Sequence, residues 1–268
     1  DIFNNHYPKK FMHSLVSSQL DMDRLDYLAR DSFFSGVVEG QVGSERIIKM
    51  MDVVNDQLVV EEKGIYSIEK FIVARRFMYW QVYLHKTVLS AEFMLVNALR
   101  RAKEWVELGH DLWATPSLKF FLENGFDHDS FFAHPAALQH FLELDDQDVL
   151  SALKVWQHSG DFVLSELSKK LVQRDLFKIQ IFNEPPSETN LKKKIQEVAL
   201  KYHLTDHEAH YFVMTGEAAN RAYSQSGDLI LIKLKNGHVC NAGEVSEHLS
   251  LAPITREVRK WFVAGPKV

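Results

Sequence analysis

The sequence has little cysteine: Cys240 is the only one among 268 residues. A single cysteine excludes an internal disulfide and fits a reducing compartment, so a cytoplasmic location is predicted. No apolar run reaches the roughly 18 residues of a membrane-spanning helix, so no membrane partner is expected. The formal net charge of −5 argues against a general nucleic-acid-binding surface.

Several well-known catalytic and cofactor motifs are also missing. The sequence contains no Walker loop, no GxGxxG or GxSxG turn, no HExxH helix and no cysteine cluster of the zinc type. These absences argue against P-loop enzymes, dinucleotide-binding domains and the common serine and zinc hydrolases. A hydrophobic content of 46% is nevertheless ample for one large core or two smaller ones.

The most informative segment present is SSQLDMDRLDYLARD, at positions 17–31. At about 100° per residue, one helix face carries charged and phenolic side chains: Asp23, Arg24, Tyr27, Arg30 and Asp31, with Asp26 at its edge. The opposite face carries Met22, Leu25, Leu28 and Ala29, which are predicted to be buried. Aspartate is a poor helix former. Its density here fits carboxylates that bind a metal beside cations that bind phosphate; a helix end with structural ion pairs is the alternative.

A second segment, positions 68–103, is a long helical pattern without proline or glycine. Arg75, Tyr79, Tyr83 and Lys86 are spaced by four, four and three residues, so they are predicted to share one stripe of a single helix. The alternative is an aromatic helix packed in a core, with Arg75 extending to solvent.

The string LDMDRLDYLARDS resembles the segment that carries the last metal-binding aspartate of HD-domain phosphohydrolases. It is most similar to the deoxynucleoside triphosphate triphosphohydrolase branch, whose pattern is roughly D-x-D-[KR]-x-D-Y-x-x-R-D. The specified positions are filled by Asp21, Asp23, Arg24, Asp26, Tyr27, Arg30 and Asp31. The resemblance implies that Asp23 binds a divalent metal (Mg, Mn, Fe, Ni or Zn) and Arg24 contacts substrate phosphates. It also implies that Tyr27 and Asp31 line a nucleotide pocket.

The second segment is similar to the family helix that ends in an R…Y-x-H-K arrangement. That similarity implies that Arg75 contacts phosphate and Tyr83 contacts the sugar. The implied pocket or effector neighbours are Arg30, Tyr79, His85 and Lys86. Members of this branch often have a histidine in place of Tyr79 and a glutamine in place of Leu84. A homo-oligomer that binds a nucleotide substrate is implied as well.

The family's other metal ligands, a histidine and a later His-Asp pair, precede the aspartate segment. Here only 22 residues precede Asp23, and their histidines are His6 and His13. We therefore interpret the sequence as the C-terminal portion of a longer protein. The dipeptides His110-Asp111 and His128-Asp129 lie downstream and are interpreted as a helix end and a capped turn.

The predicted fold class is mainly α, the C-terminal part of an HD-type helical bundle with a small α+β lobe. Two domains are predicted, a helical region at 1–173 that is incomplete at its N-terminus and an α+β lobe at 174–268. Residues 1–55 are expected to be helical except for a loop in FFSGVVEGQVGS, and 58–64 to form a short strand or hairpin. Alternation in RDLFKIQIF predicts a strand, and Asn236-Gly237 predicts a hairpin turn.

These observations favour a metal-dependent phosphohydrolase that converts a dNTP to a deoxynucleoside and tripolyphosphate in the complete protein. One alternative is an HD-type phosphomonoesterase acting on nucleoside monophosphates. Another is a non-catalytic module for nucleotide binding or oligomerisation. The chain by itself is expected to be inactive.

Overall fold

The structure is a computed structural model that describes residues 1–220, 223, 227–245 and 257–267. The described residues are mainly helical and carry two small β-sheets. This confirms the predicted fold class. Among these residues, no helix combines the length and apolar character that crossing a bilayer requires.

The helices are α1 (Phe11–Val16), α2 (Met22–Ser35), α3 (Ser44–Lys49), α4 (Ile65–Met78), α5 (Lys86–Glu107), α6 (Pro116–Glu123), α7 (His128–Ala133), α8 (Ala137–Glu143), α9 (Asp146–Trp156), α10 (Phe162–Gln173), α11 (Glu188–Tyr202), α12 (Asp206–Ala209) and α13 (Ala242–Val245). Short 3-10 turns occupy Val38–Gly40 and Glu62–Gly64, and a π-helical turn occupies Tyr79–Tyr83. The strands are β1 (Met51–Val54), β2 (Gln57–Glu61), β3 (Lys178–Phe182), β4 (Met214–Asn220), β5 (Leu231–Lys233), β6 (Val239–Asn241) and β7 (Val258–Gly265).

The chain forms two compact units. The first comprises Asp1–His85 and Ala218–Arg259, and the second comprises Lys86–Glu217 and Lys260–Val268. The predicted boundary between residues 173 and 174 falls inside the second unit. The division into domains at 1–173 and 174–268 stays a prediction.

A four-stranded sheet in the order β1-β2-β5-β6 belongs to the first unit. Strands β1 and β2 form an antiparallel hairpin, and both Asn55 and Asp56 in its turn have positive φ, at 48° and 63°. Two consecutive residues of positive φ are typical of the tight turns that match strand twist. Strand β5 pairs with β2 in parallel and with β6 through the predicted turn at Asn236-Gly237. Residues 51–54 are therefore a strand, and the prediction that they are helical was wrong.

Helix α2 begins at an aspartate cap and buries an apolar stripe. The side chain of Asp21 accepts the Arg24 N–H at 2.8 Å, and Leu25 and Leu28 are buried. Ala29, predicted to be buried, is exposed. The stripe is centred between Leu28 and the buried Ser32, and at about 100° per residue Ala29 falls outside it. Among the described residues, the core of this unit consists of Leu20, Leu25, Leu28, Ile47, Val60, Ile68, Phe71, Ile72, Met78, Tyr223, Ile230, Ile232 and Ala242.

Part of the predicted loop FFSGVVEGQVGS is helical. Phe33 and Phe34 lie in the last turn of α2, 78% and 80% exposed, and the helix ends at Gly36 in the left-handed conformation. Gly40 then packs against α4, because a Cβ built there would lie only 2.3 Å from Sδ of Met78. Met78 is fully buried and immediately precedes the π-helical turn.

We expect Gly40→Ala to lower the free energy of unfolding by about 1–3 kcal/mol, since the added methyl group must displace a buried side chain. Urea denaturation of the variant and the parent measures this difference. Gly43→Ala is the matched control. Its Cβ would meet no atom within 4 Å and its φ is −78°, so we expect a change within about 0.5 kcal/mol. Equal losses in the two variants would contradict the packing argument.

The predicted helix over 68–103 is interrupted. Helix α4 ends at Met78, the π-helical turn follows, and α5 begins at Lys86. The Leu84 N–H donates to the Tyr79 carbonyl at 2.7 Å. A hydrogen bond between residues five positions apart closes the wider ring of a π turn. Neither proline nor glycine marks this break. The prediction of one continuous helix was therefore wrong for a reason that local sequence does not show.

In the second unit, α5 packs on α10, and α10 packs on α9. A three-stranded sheet in the order β3-β7-β4 adjoins α11, which follows the predicted break at Pro185-Pro186. Asp127 and Asp145 cap α7 and α9 with reciprocal capping boxes, and Pro116 begins α6. The capped turn predicted at His128-Asp129 is confirmed.

Candidate functional site

The N-terminal end of α2 holds Arg24 in place through its cap. Nε of Arg24 donates to the Ser18 carbonyl at 2.6 Å and to Oδ2 of Asp21 at 3.1 Å. Asp21 is only 4% exposed and also accepts the Ser18 N–H. Asp21 thus positions the arginine, a role that its place just before a helix could have indicated.

Asp23 lies one residue inside the same helix and is exposed. Its carboxylate makes no hydrogen bond or ion pair with any other residue in the described ranges. A carboxylate in the first turn of a helix is favoured by the helix dipole. Asp23 therefore remains ionisable and accessible to a cation.

A cluster of three tyrosines joins α2 to the π-helical turn. The ring centroids of Tyr27 and Tyr83 are 6.1 Å apart, and those of Tyr79 and Tyr83 are 5.2 Å apart, both edge to face. The Tyr83 hydroxyl donates to Oδ2 of Asp31 at 2.6 Å. The guanidinium carbon of Arg75 lies 5.7 Å from the Tyr79 ring centroid. Five of the predicted site residues, from segments about fifty positions apart, therefore lie in one place.

Burial and charge keep these phenols protonated. Burial raises the pKa of Tyr83, and its hydrogen bond to the Asp31 carboxylate raises that pKa further. Burial also raises the pKa of Tyr27, an effect that the nearby Arg75 partly offsets. At neutral pH both hydroxyls are hydrogen-bond donors and not bases.

We expect the free energy of unfolding to fall as the pH rises above about 10, the pKa of an unperturbed tyrosine. The folded-state pKa values of Tyr27 and Tyr83 are raised, so the unfolded chain loses these protons first and is favoured at high pH. Denaturation at several alkaline pH values measures the fall. Absorbance titration of tyrosinate formation in Tyr83→Phe and in the parent isolates the contribution of one phenol. We expect the variant to lack one of the tyrosines that ionise at the highest pH. Identical titrations of the two proteins would contradict the assignment.

The remaining predicted neighbours are placed differently. Arg30 pairs with Asp26 at 2.5 Å, and their side chains are 63% and 60% exposed. Exposed pairs of this kind contribute little to stability. His85 is exposed after the π-helical turn, and Lys86 is the exposed first residue of α5.

The described residues do not form a complete metal site. No group of three or more His, Cys, Asp or Glu side chains within the described ranges is arranged to hold a metal ion. Asp23 offers one carboxylate, whereas hard and borderline divalent metals take several protein ligands. The two downstream His-Asp dipeptides do not supply the missing ligands.

Comparisons of this chain with known proteins indicate its family. The model of the HD associated region matches residues 42–111, which contain α4 and the π-helical turn. The crystal structure of a phosphohydrolase from Bacteroides thetaiotaomicron is 47% identical and superposes with a TM-score of 0.95. That match covers 99% of this chain and 66% of the other. The chain is a relative of the HD-domain phosphohydrolases. The resemblance found in the aspartate segment is thereby confirmed.

Two curated relatives of this HD-domain chain extend the comparison. The uncharacterized protein YwfO of Bacillus subtilis is 35% identical over 183 residues, which are 68% of this chain and 40% of that protein. A deoxynucleoside triphosphate triphosphohydrolase SAMHD1 homolog of Dictyostelium discoideum is 29% identical over 116 residues, 41% of this chain and 22% of that protein. The chain thus spans less than half of the length of either relative.

Proposed function

We propose that the protein containing this chain is a metal-dependent phosphohydrolase acting on nucleotides, with dNTPs as the favoured substrates. The observation that carries the proposal is the contact between α2 and the π-helical turn, where Tyr83 donates to Asp31 beside Tyr27. Two relatives support the class, since one is named a phosphohydrolase and the other a deoxynucleoside triphosphate triphosphohydrolase.

The proposed roles follow from the chemistry of the side chains. Arg24 and Arg75 are cations suited to the negative charge of a triphosphate, including the charge on the phosphoryl oxygens as water attacks the α-phosphorus and the sugar 5′-oxygen leaves with a proton. The neutral hydroxyl of Tyr83 and the carboxylate of Asp31 suit the hydroxyl groups of a sugar. The rings of Tyr27 and Tyr79 form an apolar wall that packs against a flat or puckered ring.

Asp23 is proposed as one ligand of the divalent metal. Its support is an exposed carboxylate without a hydrogen-bond or ion-pair partner in the described ranges. Asp23 lies two residues after Asp21, the cap residue that holds Arg24 in place. Because the remaining ligands are not among the described residues, no catalytic step is assigned to the metal. The homo-oligomer and the cytoplasmic location stay predictions.

The deciding experiment gives the intact protein, with a divalent metal, separate samples of dNTPs, NTPs and dNMPs. Anion-exchange chromatography then separates tripolyphosphate, pyrophosphate and orthophosphate. We expect tripolyphosphate and deoxynucleoside from dNTPs. Orthophosphate released from dNMPs alone would support the phosphomonoesterase instead, and saturable nucleotide binding without any product would support the binding module.

We expect Tyr83→Phe to lower kcat/KM for the dNTP by roughly 10- to 100-fold, the range for losing a hydrogen bond to a charged group. The substitution removes the donor to Asp31 but keeps the ring contacts with Tyr27 and Tyr79. Tyr7→Phe removes a hydroxyl from a tyrosine outside this cluster and should leave kcat/KM within about twofold. Steady-state hydrolysis of both variants measures the difference, and equal activity of Tyr83→Phe and the parent would remove Tyr83 from the site.

A further inference from the structure

A cavity lies in the second compact unit, and none of its lining residues is named in the proposed function. Its volume is about 950 Å³, and its walls are β3, the C-terminal end of β7, the loop 183–186 and the first turns of α11. Ligand pockets for small molecules commonly span about 300–1,000 Å³. The cavity is therefore large enough for a ligand of several phosphate groups.

Lysines dominate the charge of this cavity. Its lining includes Lys178, Lys193, Lys194 and Lys267 against Glu184 and Glu197. Lys193 and Glu197 approach to 3.9 Å, but their side chains are 76% and 46% exposed, so the pair is weak. No carboxylate of a described residue lies within 4 Å of the ammonium groups of Lys178, Lys194 or Lys267. Three lysines thus line one concave surface without a close ion pair in the described part of the chain, and they outnumber the carboxylates of Glu184 and Glu197.

Lys194 is the best-placed of the three. It is half-buried, and a Cβ at Gly265 would lie 2.9 Å from its Cε and 3.6 Å from its Nζ, so its stem packs directly on the β7 backbone. Burial lowers the pKa of the Lys194 ammonium, which Glu197 offsets only in part. A bound anion would stabilise the charged form of this lysine.

The start of α11 adds neutral donors to the same wall. Ser187 is the N-cap residue and accepts the Asn190 N–H at 3.3 Å, and both side chains line the cavity. The first turn of a 15-residue helix presents backbone N–H groups and the positive end of the helix dipole. This adds to the attraction that the lysines provide.

We propose that this cavity binds an anion with two or more phosphoryl groups, either free or carried by a nucleotide. Lysine binds phosphate as a point charge, and no arginine lines the cavity to favour the planar, bidentate recognition of a carboxylate. Three ammonium groups without a close ion pair match a diphosphate better than a single phosphate. The proposal does not depend on the phosphohydrolase activity, because none of its residues belongs to the tyrosine cluster.

Calorimetric titration of the intact protein tests the site. Pyrophosphate, ADP and orthophosphate are each titrated in buffer with EDTA, which removes metal complexes of the phosphates. We expect pyrophosphate to bind more tightly than orthophosphate, and Lys194→Gln to weaken its binding about tenfold. Lys192→Gln is the matched control, since Lys192 is exposed on the same helix and does not line the cavity; its effect should stay below about twofold.

The two sources of the phosphate group give different results. Equal affinity for pyrophosphate and ADP means that the phosphates alone are recognised. A preference for ADP that depends on Lys194 means that the ligand is a nucleotide. Either result supports the proposal. Binding that Lys194→Gln leaves unchanged would overturn it. A single-stranded oligonucleotide that binds through Lys194 and is not displaced by pyrophosphate would overturn it in favour of a nucleic acid.

Chemical labelling provides a test on the unmodified sequence, in case Lys194→Gln disturbs folding. Lysines are acetylated briefly at mildly alkaline pH and the sites are quantified by mass spectrometry. We expect pyrophosphate to slow acetylation of Lys194 severalfold and to leave Lys192 unchanged. Equal rates at Lys194 with and without pyrophosphate would show that the cavity does not hold this anion.

Discussion

Replacing Asp23 with asparagine should lower the phosphohydrolase activity of the intact protein by more than about 100-fold. Changing a residue that only orients a metal ligand costs roughly 10- to 100-fold in metal affinity, so losing a ligand itself should cost more. Asparagine keeps the size of the side chain but removes its charge. Because Asp23 is exposed and makes no hydrogen bond or ion pair with another described residue, the variant should fold like the parent.

Asp26→Asn is the matched control for this prediction. Asp26 lies on the same helix, is also exposed and, among the described residues, pairs with Arg30 alone, so its loss should change activity by less than about twofold. Metal content, measured by mass spectrometry of the purified proteins, provides a readout independent of activity. Asp23→Asn should lose bound metal and Asp26→Asn should keep it. Full activity and full metal content in Asp23→Asn would refute the proposed ligand role.

Replacing Asp161 with alanine should lower the free energy of unfolding by about 3–5 kcal/mol, the cost of breaking a buried ion pair from one side. Asp161 is 5% exposed and Arg101 is 6% exposed. Nε of Arg101 donates to Oδ1 of Asp161 at 3.0 Å, and Nη2 donates to Oδ2 at 2.6 Å. These bonds raise the pKa of Arg101. A guanidinium is not deprotonated in proteins, so Arg101 stays charged when Asp161 is removed.

The same substitution also removes a helix cap. Oδ1 of Asp161 accepts the Leu164 N–H at 2.8 Å at the start of α10. Glu104 remains as a partner for Arg101 at 2.6 Å, which keeps the expected loss within the stated range. Urea denaturation followed by tryptophan fluorescence measures the loss, because Trp105 lies 5.7 Å from the Arg101 guanidinium.

An exposed ion pair in the same unit supplies the control. Lys119 and Asp111 approach to 3.2 Å, with side chains 42% and 92% exposed. Asp111→Ala should therefore change the free energy of unfolding by less than about 1 kcal/mol. If the two alanine variants lose equal stability, burial of the Arg101–Asp161 pair does not determine its contribution.

The candidate site was predictable in its residues but not in its contacts. Helical periodicity placed Tyr27 and Asp31 on one face, and spacing placed Arg75, Tyr79 and Tyr83 on one stripe. The hydrogen bond between Tyr83 and Asp31 joins positions 52 residues apart, and no local pattern specifies such a pairing. Family resemblance indicated that the two helices face each other, and the structure supplied the atoms that meet.

The errors came from positions where packing outweighs local preference. The π-helical turn at Tyr79–Tyr83 interrupts a stretch with no proline or glycine, since a wider turn is a small local cost that surrounding contacts can offset. The spacing of the lysines along α11 does not by itself indicate a cavity. Lys178, Lys194 and Lys267 line one cavity because β3 and β7 pack beside α11 in the folded chain.

The sequence by itself determined the helical class, the capped turn at His128-Asp129, the Asn236-Gly237 turn and the family relationship. These features depend on residues close together in the chain, whose side chains act on their own backbone. The tertiary structure decided which strands pair, where α4 ends and which charged groups meet. Those outcomes depend on contacts between distant segments, and their energies arise only when burial removes water from both partners.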